Sequence, residues 1–244
     1  MISKTIHYIW LGGKAKPNIA GICINSWKEK LPDYMLKEWN ENNLNLDKIA
    51  SENRFFAECY KRKLWAFMAD YLRLRILYKY GGIYLDTDIQ VLKSFDNLLN
   101  DSCFIGMEPN NYIGTGIIAC EKQNSTIKKF LKFYDDEIWD SELYTIPMII
   151  TKVLNDNPEC KITIYPQDYF APFDPYKGYS GEEETEHTYC IHWFNAGWAN
   201  NSGVVEFLAV KHIHNPVIRK LVILRKKLGI AIRHSAHQGD KGDE

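Results

Sequence analysis

Residues 65–89 read WAFMADYLRLRILYKYGGIYLDTDI, and the fold class follows from how this stretch divides. Trp65 to Tyr80 contains neither Pro nor Gly and little β-branching, which predicts a helix. Gly81 suits the position just past a helix C-terminus, with Lys79 in the last turn at the negative end of the dipole. Ile83-Tyr84-Leu85 then reads as a short buried strand, and Asp86-Thr87-Asp88 leaves its carboxyl end. Side chains alternate along an extended segment, so Asp86 and Asp88 are expected to point one way and Thr87 the other. On the helix, Arg75 and Lys79 form a solvated edge. Asp70 and Arg73, about 60° apart, fall on nearly the opposite side, among Ala66, Leu77 and Tyr80, where a core-facing stripe is expected. Buried charge is costly, so the pair is either a structural ion pair or a pair in use. The two carboxylates of the next loop favour use. Asp-x-Asp at a strand end is an oxygen-rich site suited to Mg²⁺ or Mn²⁺, and a cation there could neutralise a diphosphate and assist its departure.

The 244 residues, 45% hydrophobic and 25% charged, suit one large domain with a full core. A formal net charge of −1 argues against a nucleic-acid partner held by global electrostatics. No apolar run approaches a membrane span, and MISKTIHYIW lacks a signal peptide's cleavage region, so a cytoplasmic protein is expected. The 6 cysteines are scattered without Cys-x-x-Cys spacing. They read as reduced thiols, not as a disulfide framework or a zinc site.

Ahead of the central stretch, Thr5 to Trp10 reads as a first buried strand, broken by Leu11-Gly12-Gly13. A helix is expected around Ile19 to Glu29, a strand at Tyr34 to Trp39, a polar loop at Asn40 to Asn45 and a short helix at Asn53 to Lys63. This alternation predicts a largely parallel sheet whose strand ends carry ligand contacts. Beyond the Asp-x-Asp loop, Cys103 to Met107 and Ile113 to Cys120 read as strands flanking the loop Glu108-Pro109-Asn110-Asn111. Gly114-Thr115-Gly116 in the second of them is no phosphate-binding fingerprint, because no helix follows, and marks a close backbone approach or a bulge. Helices are expected at Asn124 to Tyr134 and Ile146 to Leu154, and a strand at Ile162 to Tyr165. Gln167 to Thr188 reads as a long loop with Glu182-Glu183-Glu184 as its solvated tip. Residues 1–216 are read as one domain, 217–238 as a basic amphipathic helix and 239–244 as a disordered tail. On that helix Val217, Leu221, Leu224 and Leu228 share a face. It either lies on an anionic membrane surface or packs on the domain with a wet basic face.

The run ADYLRLRILYKYGGIYLDTD closely resembles the DXD glycosyltransferases of family 32, which include capsular-polysaccharide synthesis enzymes and outer-chain mannosyltransferases. The large clostridial glucosylating toxins share the motif. KTIHYIWLGG at the start and YCIHWFNAGW at residues 189–198 extend the resemblance over most of the chain. It implies an α/β fold of the GT-A type, a single Rossmann-like nucleotide-binding domain with a mixed, mostly parallel sheet. It further implies that Asp70 and Arg73 hold the donor sugar, and that Asp86 and Asp88, with Thr87 between them, bind metal and nucleotide sugar. Trp10, followed by Leu11 and Gly12, inherits the base-stacking position. His192 ligates the metal or contacts the diphosphate, and Trp198 closes over the donor. Two departures stand out: Gly197 where the family has Ser, and Thr145-Ile146-Pro147 where it has Thr-Gly-Pro.

The activity so implied is retaining transfer of a hexose or N-acetylhexosamine, assisted by Mn²⁺ or Mg²⁺, from a UDP-sugar in preference to a GDP-sugar. The expected acceptor is a bacterial capsule or lipopolysaccharide glycan, lipid-linked where the basic helix contacts the inner face of the plasma membrane. No carboxylate is identifiable as a covalent nucleophile, so retention would proceed by same-face attack. Two other readings stand beside it: a toxin-like protein glycosyltransferase, and a catalytically silent glycan- or nucleotide-binding protein.

Overall fold

The computed structural model describes residues 1–195, 204 and 206–239, with residues 229–239 as helical backbone only. Trp198 and Gly197 lie outside the described residues, as does the tail from residue 240 onward. The chain runs β1 (Thr5–Ile9), α1 (Asn18–Lys30), β2 (Met35–Trp39), α2 (Leu46–Glu52), α3 (Arg54–Lys61), α4 (Trp65–Tyr80) and β3 (Gly82–Leu85). It continues with β4 (Ile89–Val91), β5 (Cys103–Glu108), β6 (Tyr112–Cys120), α5 (Ser125–Lys132), α6 (Ile146–Asp156) and β7 (Thr163–Tyr165). A one-turn helix α7 (Gln167–Phe170), strand β8 (Cys190–His192) and helix α8 (Pro216–Gly239) follow among the described residues.

Six strands form one sheet in the order β2-β1-β3-β6-β5-β7. Strand β1 is parallel to both β2 and β3, β7 is parallel to β5, and β6 runs antiparallel to its two neighbours. Five strands therefore point one way and β6 the other, giving a mixed, mostly parallel sheet. Both faces are covered. Ile83 and Leu85 of β3 face a core built with Trp27 of α1, Phe95 and Phe170. Tyr84 faces the opposite core, where α3 to α6 contribute Phe55, Leu72, Leu77, Phe130 and Ile149. That double burial is why the strands read as continuous apolar runs.

The junction between α4 and β3 has little spare room. Gly81 (φ 69°) ends the helix with its N–H on the Leu77 carbonyl at 2.8 Å. A Cβ there would sit 2.6 Å from the Lys122 nitrogen. Gly82 (φ 97°) has the Thr5 carbonyl 2.6 Å from where its Cβ would be, so β3 can start hard against β1. Buried His7 locks the same corner: one ring nitrogen bonds the Gly81 carbonyl at 2.9 Å, and the other accepts from Trp39 Nε1 at 3.1 Å. Burial pushes its pKa down to about 4, so it serves as a neutral tautomer with Nε2 donating.

Several expectations are corrected. Leu46–Glu52 is a helix where the sequence suggests no element; it is short, and Asn45 caps it by accepting from the Lys48 amide. Asn124 caps α5, and the helix widens into a π turn over Phe133–Glu137. Tyr80 is not in the core: it is exposed, its ring stacked on Trp39 at 5.3 Å. Asp86 to Asp88 is a turn, not extended chain, closed by the Ile89 amide on the Asp86 carbonyl at 3.0 Å. Helix α8 runs to Gly239, one residue beyond the expected end.

Candidate active site

The carboxyl ends of β1, β2 and β3 lie side by side, which brings Trp10, the Asn40–Asn45 loop and the Asp-x-Asp turn to one edge of the sheet. The asparagines of the loop mostly bond the loop itself. Asn43 Oδ1 accepts from the Asn40 amide while its Nδ2 donates to the Glu38 carbonyl, and Asn45 is spent on the cap of α2. Trp10 Nε1 donates to the Lys14 carbonyl at 2.6 Å. Gly12 (φ 95°) lies where a Cβ would meet the Trp65 indole at 2.9 Å, so the turn after β1 rests on the first residue of α4.

Two groups of side chains meet at the Asp-x-Asp turn. The first comes from α4. Arg73, only 5% exposed, donates through Nη2 to Asp70 Oδ1 at 2.8 Å. Its Nη1 donates to the Thr115 carbonyl at 2.7 Å and to Asp86 Oδ2 at 3.3 Å. The guanidinium also lies 4.5 Å over the Tyr84 ring, and Tyr84 Oη donates to Asp86 Oδ1 at 2.7 Å. One cation thus serves two carboxylates. Burial pushes Asp70 up to about 7 against the pull of Arg73, with Asp86 adding to the rise. Burial raises Asp86 too, Arg73 opposing and Asp88 reinforcing. Arg73 itself is held charged, since Asp86, Tyr84 and Asp70 outweigh the cost of its burial.

The second group arrives from the far end of the chain. Strand β8 pairs antiparallel with β4, with His192 opposite Ile89, and the Trp193 amide bonds the Asp88 carbonyl at 3.0 Å. This ribbon places His192 Nε2 3.6 Å from Asp88 Oδ1, and the Asn195 amide donates to Asp88 Oδ2 at 2.8 Å. On its other side His192 Nδ1 bonds Glu108 Oε1 at 3.2 Å, and Phe194, held in the left-handed region (φ 51°), stacks on the imidazole at 4.1 Å. Burial disfavours the charged ring, but Asp88 and Glu108 overcome it and lift its pKa to about 10. Asp88 is lowered despite burial, by His192 and the Asn195 amide. The Gly114-Thr115-Gly116 run gives way to this arrangement: a Cβ on Gly116 would stand 3.1 Å from the His192 ring, and one on Gly114 2.8 Å from Glu108.

Oxygen atoms of Asp86 and Asp88 and a nitrogen of His192 all lie within 4.8 Å of one another. Two carboxylates and an imidazole at that spacing fit a divalent cation whose bonds are about 2.0–2.2 Å. Of the residues singled out in the sequence, Asp70, Arg73, Asp86, Asp88 and His192 thus come together. Tyr84 and Glu108 are members that the sequence reading missed.

Residues 19–105 match the family described as "Glycosyltransferase sugar-binding region containing DXD motif". The match covers about a third of the chain and takes in α4 and the Asp-x-Asp turn. Among curated relatives, the lactosylceramide 4-alpha-galactosyltransferase of Rattus norvegicus is 28% identical over 151 residues, 52% of this chain and 40% of the rat protein. The inositol phosphoceramide mannosyltransferase 3 of Schizosaccharomyces pombe is 29% identical over 122 residues, 50% of this chain and 34% of the yeast protein. The chain spans well under half the length of either. Among solved structures, PaToxG Glycosyltransferase superposes with a TM-score of 0.50 at 21% identity, covering 64% of this chain and 70% of that one. The fold is that of the GT-A glycosyltransferases.

Proposed function

We propose that the protein is a metal-assisted, retaining glycosyltransferase that takes a hexose or N-acetylhexosamine from a nucleotide diphosphate sugar, a UDP-sugar before a GDP-sugar. The observation that carries this reading is the meeting of Asp86, Asp88 and His192 within 4.8 Å, beside the buried Asp70–Arg73 pair, at the edge where β1, β2 and β3 end. Asp86, Asp88 and His192 would hold Mn²⁺ or Mg²⁺, the imidazole making a softer set than the all-oxygen shell that Mg²⁺ prefers. A cation bound there supplies charge neutralisation to the diphosphate leaving group.

The rest of the work falls to the chain. Asp70 accepts hydrogen bonds from sugar hydroxyls. Arg73, enclosed by Asp70, Asp86, Tyr84 and the Thr115 carbonyl, fixes where the two carboxylates stand while holding the donor side of the site. Trp10 offers an indole face to the base. Thr87, Leu11 and Gly12 complete the donor edge. The acceptor in this reading is a lipid-linked glycan of a bacterial surface polysaccharide, assembled on the cytoplasmic side. Its lipid-linked character is supported by the two relatives, whose names both specify ceramide substrates.

The test is release of free nucleotide from UDP-glucose, UDP-galactose, UDP-N-acetylglucosamine and GDP-mannose, with Mn²⁺ and with excess chelator. Turnover of one donor that stops in chelator is the expected result. Full turnover in chelator removes the metal from the proposal. Nucleotide-sugar binding without turnover makes the chain a binding protein.

A further inference from the structure

Helix α8 turns its apolar stripe away from the domain it rests on. Arg219 donates through Nε and Nη2 to the Ile213 carbonyl at 2.8 and 2.6 Å, and Lys226 Nζ donates to the Ala209 carbonyl at 3.2 Å. Val222 and Ile223 are half-buried. These residues define the inner side. Val217, Leu221, Leu224 and Leu228 fall within an arc of about 60° on the outer side. They are 66%, 62%, 56% and 57% exposed, and Ile218 beside them is 51% exposed.

The charges that the helix itself places around the stripe are all of one sign. Lys220 and Lys227 border it on one side and Arg225 on the other, and Pro216–Gly239 contains no acidic residue. Lys227 pairs with Glu206, which leaves Lys220 and Arg225 facing outward with the leucines. A row of exposed aliphatic side chains between basic flanks matches an anionic lipid surface, where the stripe enters the acyl boundary and the cations meet head groups. It matches a second copy of itself poorly: two such faces would bring Lys220 and Arg225 of each copy together with no acid between them.

We propose that α8 is an interfacial anchor that docks the protein on an anionic bilayer through Val217, Leu221, Leu224 and Leu228, with Lys220 and Arg225 as its electrostatic contacts. The site at the sheet edge is then held at the membrane by a segment that takes no part in donor chemistry. The experiment is co-sedimentation of the full chain with vesicles of phosphatidylcholine alone and of phosphatidylcholine with about 30% phosphatidylglycerol, at about 0.15 M salt. Binding should favour the anionic vesicles on the order of tenfold or more, and weaken as salt rises. Leu221→Glu with Leu224→Glu should abolish it, and Lys220→Glu with Arg225→Glu should lower it on the order of tenfold or more. Both variants change exposed side chains, so melting temperature and donor hydrolysis should stay at wild-type values.

Equal binding to both vesicle types overturns the proposal, as does binding that survives the leucine changes. A dimer in sedimentation velocity that the leucine changes dissolve, in a protein that ignores vesicles, assigns the face to a second copy instead. Because donor hydrolysis is read separately, failure here leaves the proposed activity standing.

Discussion

Asp86 and Asp88 stand two residues apart, yet their surroundings differ in kind. Asp86 belongs to the α4 side, where Arg73, Asp70 and Tyr84 lock one another inside the domain. Asp88 belongs to the ribbon side, where His192 and the Asn195 amide reach it from more than a hundred residues away. Burial wins at Asp86 and raises it; the hydrogen-bond partners win at Asp88 and lower it. The lesson is a division of labour within one turn. One carboxylate is fixed by an enclosed cation, and the other is kept ionised and poised for a ligand.

The largest expected effect comes from breaking the α4 side. Arg73→Met removes the cation that serves two carboxylates and should cost about 3–5 kcal/mol of stability by urea denaturation. A loss under about 1 kcal/mol would show that Asp70 and Asp86 are satisfied without it. On the ribbon side, Asp88→Asn should cost less stability than Arg73→Met and cut donor turnover by about 10²–10³-fold. Unchanged turnover would dissolve the contrast between the two aspartates.

A smaller change sharpens the same contrast. Glu108 accepts from His192 Nδ1 and so turns Nε2 toward Asp88. Glu108→Gln should weaken Mn²⁺ binding, read by electron paramagnetic resonance, by about ten- to a hundredfold. The melting temperature of the metal-free chain should barely move. Equal Mn²⁺ affinity would mean that the imidazole orients without this partner.

The fourth concerns pH. Asp70 is raised to about 7 from an unfolded value near 3.8, so the folded state binds the extra proton between those values. The stability it contributes is complete below about 3.8 and is lost as pH rises through about 7. The slope within the window is at most about 1.4 kcal/mol per pH unit. Asp70→Asn should flatten that part of the stability profile, measured by denaturation at pH 5, 6 and 7.5. The same slope in the variant would place the titration elsewhere.

How much of this was legible follows the same division. The α4 side could be read because its partners are local: Asp70 and Arg73 are three apart on a helix, and Gly81 marks the helix end. The sheet class was legible from alternating strands and helices. The ribbon side was not readable from spacing. His192 entered only through the resemblance of its segment to a known motif, because antiparallel pairing of β4 with β8 leaves no local pattern. Glu108 was missed inside what read as a loop. The available signal was indirect: Gly114 and Gly116 lie two apart on β6, and each would strike a side chain of the site if it carried a Cβ. Alternation was also the wrong reason for the convergence of Asp86 and Asp88, since a turn and a ribbon bring their oxygens together. The stripe on α8 was visible in the sequence, but which way it faced was not.

The long-range origin of the β4–β8 ribbon has a consequence in time. Contacts within α4 and β3 can form soon after those residues leave the ribosome, because little chain must be looped to make them. The partners of Asp88 come from residues 192–195, so that half of the site must wait for roughly a hundred further residues, at about 5–20 residues per second. For several seconds the nascent chain carries Asp70, Arg73 and Asp86 while Asp88 has no imidazole beside it. A chain that stalls or is cut before β8 would carry the α4 half without its clamp, so the last strand among the described residues sets the moment at which the two halves can meet.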